Sequence, residues 1–155
     1  MYNLRVKRAL TAVLFLAAAL TAACGVSREQ EPNDDFERAT PVRPNSTTRG
    51  RIETPHDVDM FKLDVQTDDA ILYAHVGGIR DVDFVLSVFD QDKKEIKRYD
   101  ETGAGGDEEA MDIGVHRGVY YIVLSNKNER AHNPGQDYVL RVRLESSAGR
   151  PAKRF

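Results

Sequence analysis

The chain has 155 residues, with 22 Lys plus Arg against 25 Asp plus Glu, one cysteine and no tryptophan, which suits one ordinary domain with an adequate core rather than two. At 41% hydrophobic and 30% charged residues, collagenous, disordered and polytopic membrane chains are excluded, and a single cysteine excludes an intrachain disulfide scaffold. Arg5, Lys7 and Arg8 stand in the first 23 residues, which hold no acid, so the rest of the chain has 19 bases against 25 acids, a net charge of −6. An acidic body of this kind lacks the clustered basic face that nucleic-acid binding requires.

Met1 to Arg8 is a basic n-region, and Ala9 to Ala23 (ALTAVLFLAAALTAA) is an apolar run of 15 residues that ends in small residues before Cys24. This is the layout of a signal peptide over residues 1–23, and the run is shorter than the ~18 residues a spanning helix needs. Leu20-Thr21-Ala22-Ala23-Cys24 resembles a bacterial lipobox, although Thr21 stands where Leu is commonest. The resemblance implies cleavage before Cys24, acylation of that cysteine and a bacterial lipoprotein held at the membrane. Gly25 in place of an aspartate resembles lipoproteins sent on to an outer membrane, on its periplasmic or surface face. The alternative is an ordinary secretory peptide cut after Ala23, with Cys24 left as a free thiol. Several acyl chains at ~0.8 kcal/mol per buried methylene would hold the chain at a bilayer permanently.

Residues 24–28 read as a lipidated tether leading into an irregular, proline-containing segment. Phe36 and Ala39, at helical spacing after Asn33-Asp34, predict one short helical turn with Asp34 as its N-cap. Beyond Gly50 the period is two: Met60 to Val65, Ile71 to Val76 and Phe84 to Phe89 alternate as half-buried strands do. Glu95 to Tyr99, Ala110 to Val115, Val119 to Ser125 and Tyr138 to Leu144 follow, separated by Gly/Asn/Asp/Pro turns. With a short strand near Ile52, about eight strands predict an all-β, antiparallel β-sandwich of jelly-roll type. The domain then covers residues 29–145, with 146–155 as a disordered basic tail.

Several segments in order carry a family resemblance. They are Glu29-Gln30-Glu31-Pro32-Asn33-Asp34, the Ala39-Thr40 step, Gly50 before a strand, and Asp57-Val58-Asp59-Met60-Phe61. Asp81-Val82-Asp83-Phe84-Val85-Leu86, Gly118-Val119-Tyr120-Tyr121-Ile122 and Tyr138-Val139-Leu140 continue the series. Together they resemble the bacterial pre-peptidase C-terminal domain family, over residues 29 to 145. The resemblance implies a non-catalytic β-sandwich appended to exported peptidases, or standing alone. It also implies calcium held by Glu29, Glu31, Asn33 and Asp34 of the linker and Asp59 of the strand, with Asp57 as a sixth position.

The residues themselves agree in part. Calcium takes six to eight hard oxygen ligands, and Glu29, Glu31 and Asn33 alternate along an extended segment and share one face. The other reading is that Asn33-Asp34 starts a turn and the glutamates are solvated. A second acidic set, Asp100, Glu101, Asp107, Glu108, Glu109 and Asp112, reads as a solvated surface or another calcium loop. Gly103 to Gly106 lacks the Lys-Ser/Thr ending of a phosphate loop. None of His56, His75, His116 and His132 lies in a nucleophile-elbow or metalloprotease motif, so a hydrolase is the remote alternative. Strand tyrosines, Tyr73, Tyr121 and Tyr138 among them, could present an aromatic platform to an envelope polysaccharide or protein. The expectation is therefore a lipid-anchored, non-catalytic binding or accessory module, the alternative being a structural or chaperone-like partner of an exported peptidase.

Overall fold

A computed structural model describes residues 25–147; the signal segment, Cys24 and most of the basic tail lie outside them. Ten strands form: β1 (Val26–Arg28), β2 (Thr40–Val42), β3 (Ser46–Gly50), β4 (Asp59–Val65), β5 (Ala70–Gly77), β6 (Phe84–Phe89), β7 (Glu95–Tyr99), β8 (Glu108–Val115), β9 (Gly118–Asn126) and β10 (Tyr138–Ser146). They make two five-stranded sheets, ordered β1-β3-β10-β5-β8 (sheet A) and β2-β4-β9-β6-β7 (sheet B). The pairs β1/β3 and β2/β4 are parallel and the others antiparallel. The architecture is a β-sandwich, as the period-two pattern predicts.

Every connection except β6–β7 crosses from one sheet to the other. Each strand therefore sends its apolar residues inward against strands distant in sequence. In β4 the inward set is Asp59, Phe61, Leu63 and Val65, all fully buried; in β10 it is Tyr138, Leu140 and Val142. These join Leu72 and Val76 of β5, Leu86 of β6 and Ile122 and Leu124 of β9 in one core. Phe84 of sheet B meets Tyr138 of sheet A edge to face, with centroids 5.4 Å apart, the arrangement aromatic quadrupoles favour.

Three expectations are refined by the structure. Residues 26–28 are not a tether but β1, paired in register with Thr47 to Arg49, because an edge strand of only three residues leaves no periodicity to read. The short strand expected near Ile52 is β3, which ends two residues before it at Gly50, and Ile52 itself is wholly buried. The single turn forms, with the Arg38 N–H donating to the Asp35 carbonyl at 3.2 Å, but Asp35 rather than Asp34 caps it, its carboxylate accepting from the same N–H at 2.9 Å. Phe36 leaves that turn to pack on the outer face of sheet B, 5.4 Å from Phe89 and 4.9 Å from Tyr121.

The second acidic set is also not simply solvated. Glu108 is 1% exposed and accepts from the Glu101 N–H at 3.0 Å, the Thr102 N–H at 2.6 Å and the Thr102 hydroxyl at 2.7 Å. Asp107 accepts from the Gly78 N–H at 2.7 Å. These carboxylates satisfy backbone donors of the β7–β8 and β5–β6 connections. Replacing Glu108 by alanine should therefore cost about 2 kcal/mol, since buried donors lose a charged acceptor. Urea unfolding of Glu108→Ala measures this, and an unchanged midpoint would show that the loop does not depend on the carboxylate.

Candidate functional site

The segment after β1 crosses the open end of the sandwich from sheet A to sheet B. The Glu29 N–H donates to the Arg49 carbonyl at 2.9 Å and continues the β1–β3 ladder, while the Met60 N–H donates to the Asn33 carbonyl at 3.0 Å. Between them the Gln30 N–H donates to the Thr40 hydroxyl at 3.0 Å. Glu29 and Glu31 are thereby laid over the start of β4 and the start of β10, where Asp59 and Tyr138 point inward.

At the centre is the Tyr138 hydroxyl, 2.6 Å from Glu29 Oε2 and 2.6 Å from Asp59 Oδ2. Glu29 Oε1 also accepts from the Arg51 N–H at 2.6 Å. A phenol has one proton and can donate to only one of two carboxylates, so the second close contact needs a proton on the carboxyl itself or a cation beside it. Burial, and then the neighbouring Glu29 charge, push the Asp59 carboxyl up to about 10. Burial pushes Glu29 up to about 7, against the opposing pull of Tyr138 and the Arg51 N–H. The Tyr138 phenol, desolvated beside two acids, is pushed well above its ordinary value and keeps its proton. Without a cation, Asp59 holds the shared proton, donating to Tyr138, which donates to Glu29.

Asn33 completes the arrangement and is fully buried. One end of its amide lies 3.0 and 3.2 Å from the Glu31 carboxylate oxygens and 3.2 Å from Asp59 Oδ1, and the other end lies 3.2 Å from Thr40 Oγ1. With the amide nitrogen toward the acids, its two N–H groups serve the Glu31 carboxylate and Asp59 Oδ1. With the oxygen toward them, four oxygens converge, an arrangement that needs a carboxyl proton or a cation among them.

Among the described residues, Glu29, Glu31 and Asp59 each offer an oxygen within 4.8 Å of the others. Two oxygens bound to one calcium ion can be at most ~5 Å apart, so this all-oxygen set, with Asn33, fits the ion. Asp34 and Asp57 are not in that group. Asp34 is exposed, its nearest ion-pair partner Arg38 at 3.9 Å. Asp57 is 8% exposed and accepts from the Glu53 N–H at 2.5 Å; burial pushes its carboxyl upward. It also borders an open pocket of about 400 Å³ whose rim includes His56, Arg98, Lys127 and Glu129.

Tyr138 and Gly50 are the functional positions that residue-by-residue reading misjudges. Tyr138 pairs across the ladder with Gly50, and a side-chain methyl at Gly50 would overlap both the Tyr138 hydroxyl and Glu29 Oε2. The signal in sequence was the phase of Asp59 and Tyr138, each one step of period two from a core apolar residue.

The aromatic platform is not present. Tyr138 is 1% exposed and Tyr73 and Tyr121 are each 9% exposed. Tyr73 lies under the Arg143 guanidinium at 4.4 Å, its hydroxyl donating to Asp112 at 3.1 Å, and Tyr121 lies under Phe36. Long neighbouring side chains and the Phe36 turn cover these rings. His75 has its ring nitrogens beside Asp107 at 3.1 Å and Arg141 at 3.5 Å, on the outer face of sheet A.

No protein-family profile and no curated protein matches the sequence. Three solved structures are similar to this chain. The pre-peptidase C-terminal domain of collagenase from Bacillus anthracis superposes with a TM-score of 0.56 at 16% identity, over 72% of this chain and 100% of that domain. The periplasmic inhibitor of g-type lysozyme from Aeromonas hydrophila gives 0.47 at 15% identity, over 69% of this chain and 97% of that one. The Yersinia pseudotuberculosis-derived mitogen gives 0.46 at 16% identity, over 71% and 92%. The first of these shows that this chain has the same β-sandwich fold as that domain.

Proposed function

We propose that this chain is a non-catalytic binding or accessory module of the bacterial cell envelope, lipid-anchored through Cys24 and stabilised by calcium at the open end of the sandwich. The observation that carries the calcium reading is the Tyr138 hydroxyl held between Glu29 and Asp59 at 2.6 Å each. Glu29, Glu31, Asp59 and the Asn33 amide oxygen would hold the ion. It would supply the positive charge that lets both carboxylates ionise beside one phenol. The same ion would lock the segment that joins the two sheets, a structural rather than catalytic service. A fold shared with a domain of a collagenase supports an accessory role, and the lipobox-like Leu20 to Cys24 supports the anchor.

Thermal unfolding of the chain from Val26 to Phe155, in excess calcium and in chelator, tests the site. At a hundredfold excess over its dissociation constant the ion should add about 2.7 kcal/mol, seen as a raised midpoint. Asp59→Asn, neutral and of the same shape, should lose that response and be at least as stable as the parent in chelator, because it no longer buries an ionisable group. A parent whose midpoint ignores calcium, with no heat of binding by calorimetry, would refute the metal reading and leave the proton arrangement as the resting state. Intact mass of the full-length protein extracted from bacterial membranes reads acylation of Cys24 directly.

A further inference from the structure

The outer face of sheet A is divided by charge. On the strands nearest its β1 edge, Arg28, Arg49, Arg141 and Arg143 project outward from β1, β3 and β10. Arg28 lies beside Arg49 in register, and Arg141 lies opposite Thr47. All four are exposed. Arg28 is paired with Asp137 at 2.7 Å and Arg143 with Glu145 at 3.3 Å, which leaves the half-face at a net charge of +2. On the opposite side of the same face, β8 and the loop before it carry Asp107, Glu109 and Asp112.

The chain enters the sandwich at the basic edge. Val26 opens β1 and stands two residues after Cys24, no more than about 7 Å of extended chain. Val26 is 58% exposed and points to the same side as Arg28. β1 is bound to β3 over all three of its residues, so no free linker separates the folded body from Cys24. The start of β1 and the end of β10 lie toward the same end of sheet A, as the antiparallel register of β10 with β3 requires. Arg150, Lys153 and Arg154 follow β10 in the sequence.

Resting on the lipid-anchor reading above, we infer that the basic half-face of sheet A, Arg28, Arg49, Arg141 and Arg143, lies on an anionic bilayer surface. The occupant is the headgroup layer of the membrane that holds Cys24. An acyl anchor two residues from β1 fixes the bilayer beside this edge, and an exposed valine with a guanidinium row is the chemistry an interfacial surface prefers. The acidic β8 side is turned away by like-charge repulsion, and the outer face of sheet B, with its open pocket beside Asp57, faces away from the lipid.

The test uses the full-length protein extracted from bacterial membranes, with acylation of Cys24 verified by intact mass. It is reconstituted in phosphatidylcholine vesicles with and without phosphatidylglycerol. A fluorophore is placed on Thr47→Cys, at the centre of the half-face, or on Lys62→Cys, on the outer face of sheet B, and quenched by a lipid bearing a nitroxide on its headgroup. Thr47→Cys should be quenched several-fold more than Lys62→Cys when phosphatidylglycerol is present. Each arginine reversed, in Arg49→Glu and Arg141→Glu, should lower the ratio of docked to undocked protein at least fivefold, and high salt should do likewise. Equal quenching at the two positions in an acylated chain, or quenching indifferent to phosphatidylglycerol, overturns the docking face alone. Absence of the acyl mass at Cys24 overturns the anchor and this inference with it. Loss of an anionic polysaccharide's binding in the reversed variants, without any headgroup quenching, would assign the arginine row to a soluble polyanion instead.

Discussion

Gly50→Ala should destabilise the sandwich by about 3 kcal/mol, at the upper end of the cost of overpacking a core, and should abolish any response to calcium. The reason is position rather than backbone conformation. Gly50 ends β3 directly opposite Tyr138 of β10, and an added methyl would occupy the space of the Tyr138 hydroxyl and of Glu29 Oε2. Neither can yield cheaply. Tyr138 is 1% exposed and packed edge to face on Phe84, and Glu29 is held by the Arg51 N–H. Gly103→Ala is the control, because nothing lies within 4 Å of a methyl there; it should change stability by less than ~0.5 kcal/mol. Urea unfolding of both variants, with and without calcium, gives the comparison. A Gly50→Ala protein as stable as the parent would mean that Tyr138 and Glu29 do not meet over β3.

Without calcium, stability should fall as pH rises from about 4 to about 7, the reverse of an ordinary acidic protein. Glu29 is raised by burial from 4.5 to about 7, and Asp59, more deeply buried, from 3.8 to about 10. Between the unfolded and folded values the native state keeps protons that the unfolded chain has released, so stability declines with pH. It is fully present below the unfolded values and is lost up through the folded ones. For Glu29 the loss is about 2 kcal/mol, allowing for solvent screening at a carboxyl that is partly exposed. Asp59 extends the decline above pH 7. At the acid end the sign reverses. Asp137 is held at about 2 by Arg28 and Arg51, so its contribution is present above pH 3.8 and fades as pH falls toward 2. The metal-free optimum should therefore lie near pH 4. Added calcium should change little there and stabilise increasingly toward pH 8, since ligand carboxylates must shed protons to bind it. Midpoints measured across pH 3 to 9 in chelator and in calcium decide the matter. A chelated protein that gains stability between pH 5 and pH 8 would show that the Glu29 and Asp59 carboxyls are not buried together.

Much of the fold was legible because a strand with one buried face writes itself as period two. Seven strands, β4 to β10, appear within two residues of their expected bounds. The alternation in Asp59-Met60-Phe61-Lys62-Leu63 even places an acid on the buried face of β4, while Tyr138, expected in an outward platform, proves to share the buried face of β10 with Leu140. The grouping of Glu29, Glu31, Asn33 and Asp59 followed from a family resemblance together with the shared face of an extended segment. Three things required the tertiary structure. Strand pairing did, because all connections but β6–β7 change sheets, and alternation says which face is buried but not against which partner. β1 and β2 did, because three-residue parallel edge strands take their form from the neighbour they pair with. The centre of the site did as well: Tyr138 is 109 residues from Glu29 and 79 from Asp59, and no local pattern can announce that one hydroxyl will stand between two acids. For the same reason Tyr73 and Tyr121 could be placed on outward faces from sequence, while the arginine and the phenylalanine that cover them could not. Sequence determined which atoms each strand turns inward; only the packing of distant strands decided which of them meet, because burial is a property of the residue's period and contact is a property of the whole chain.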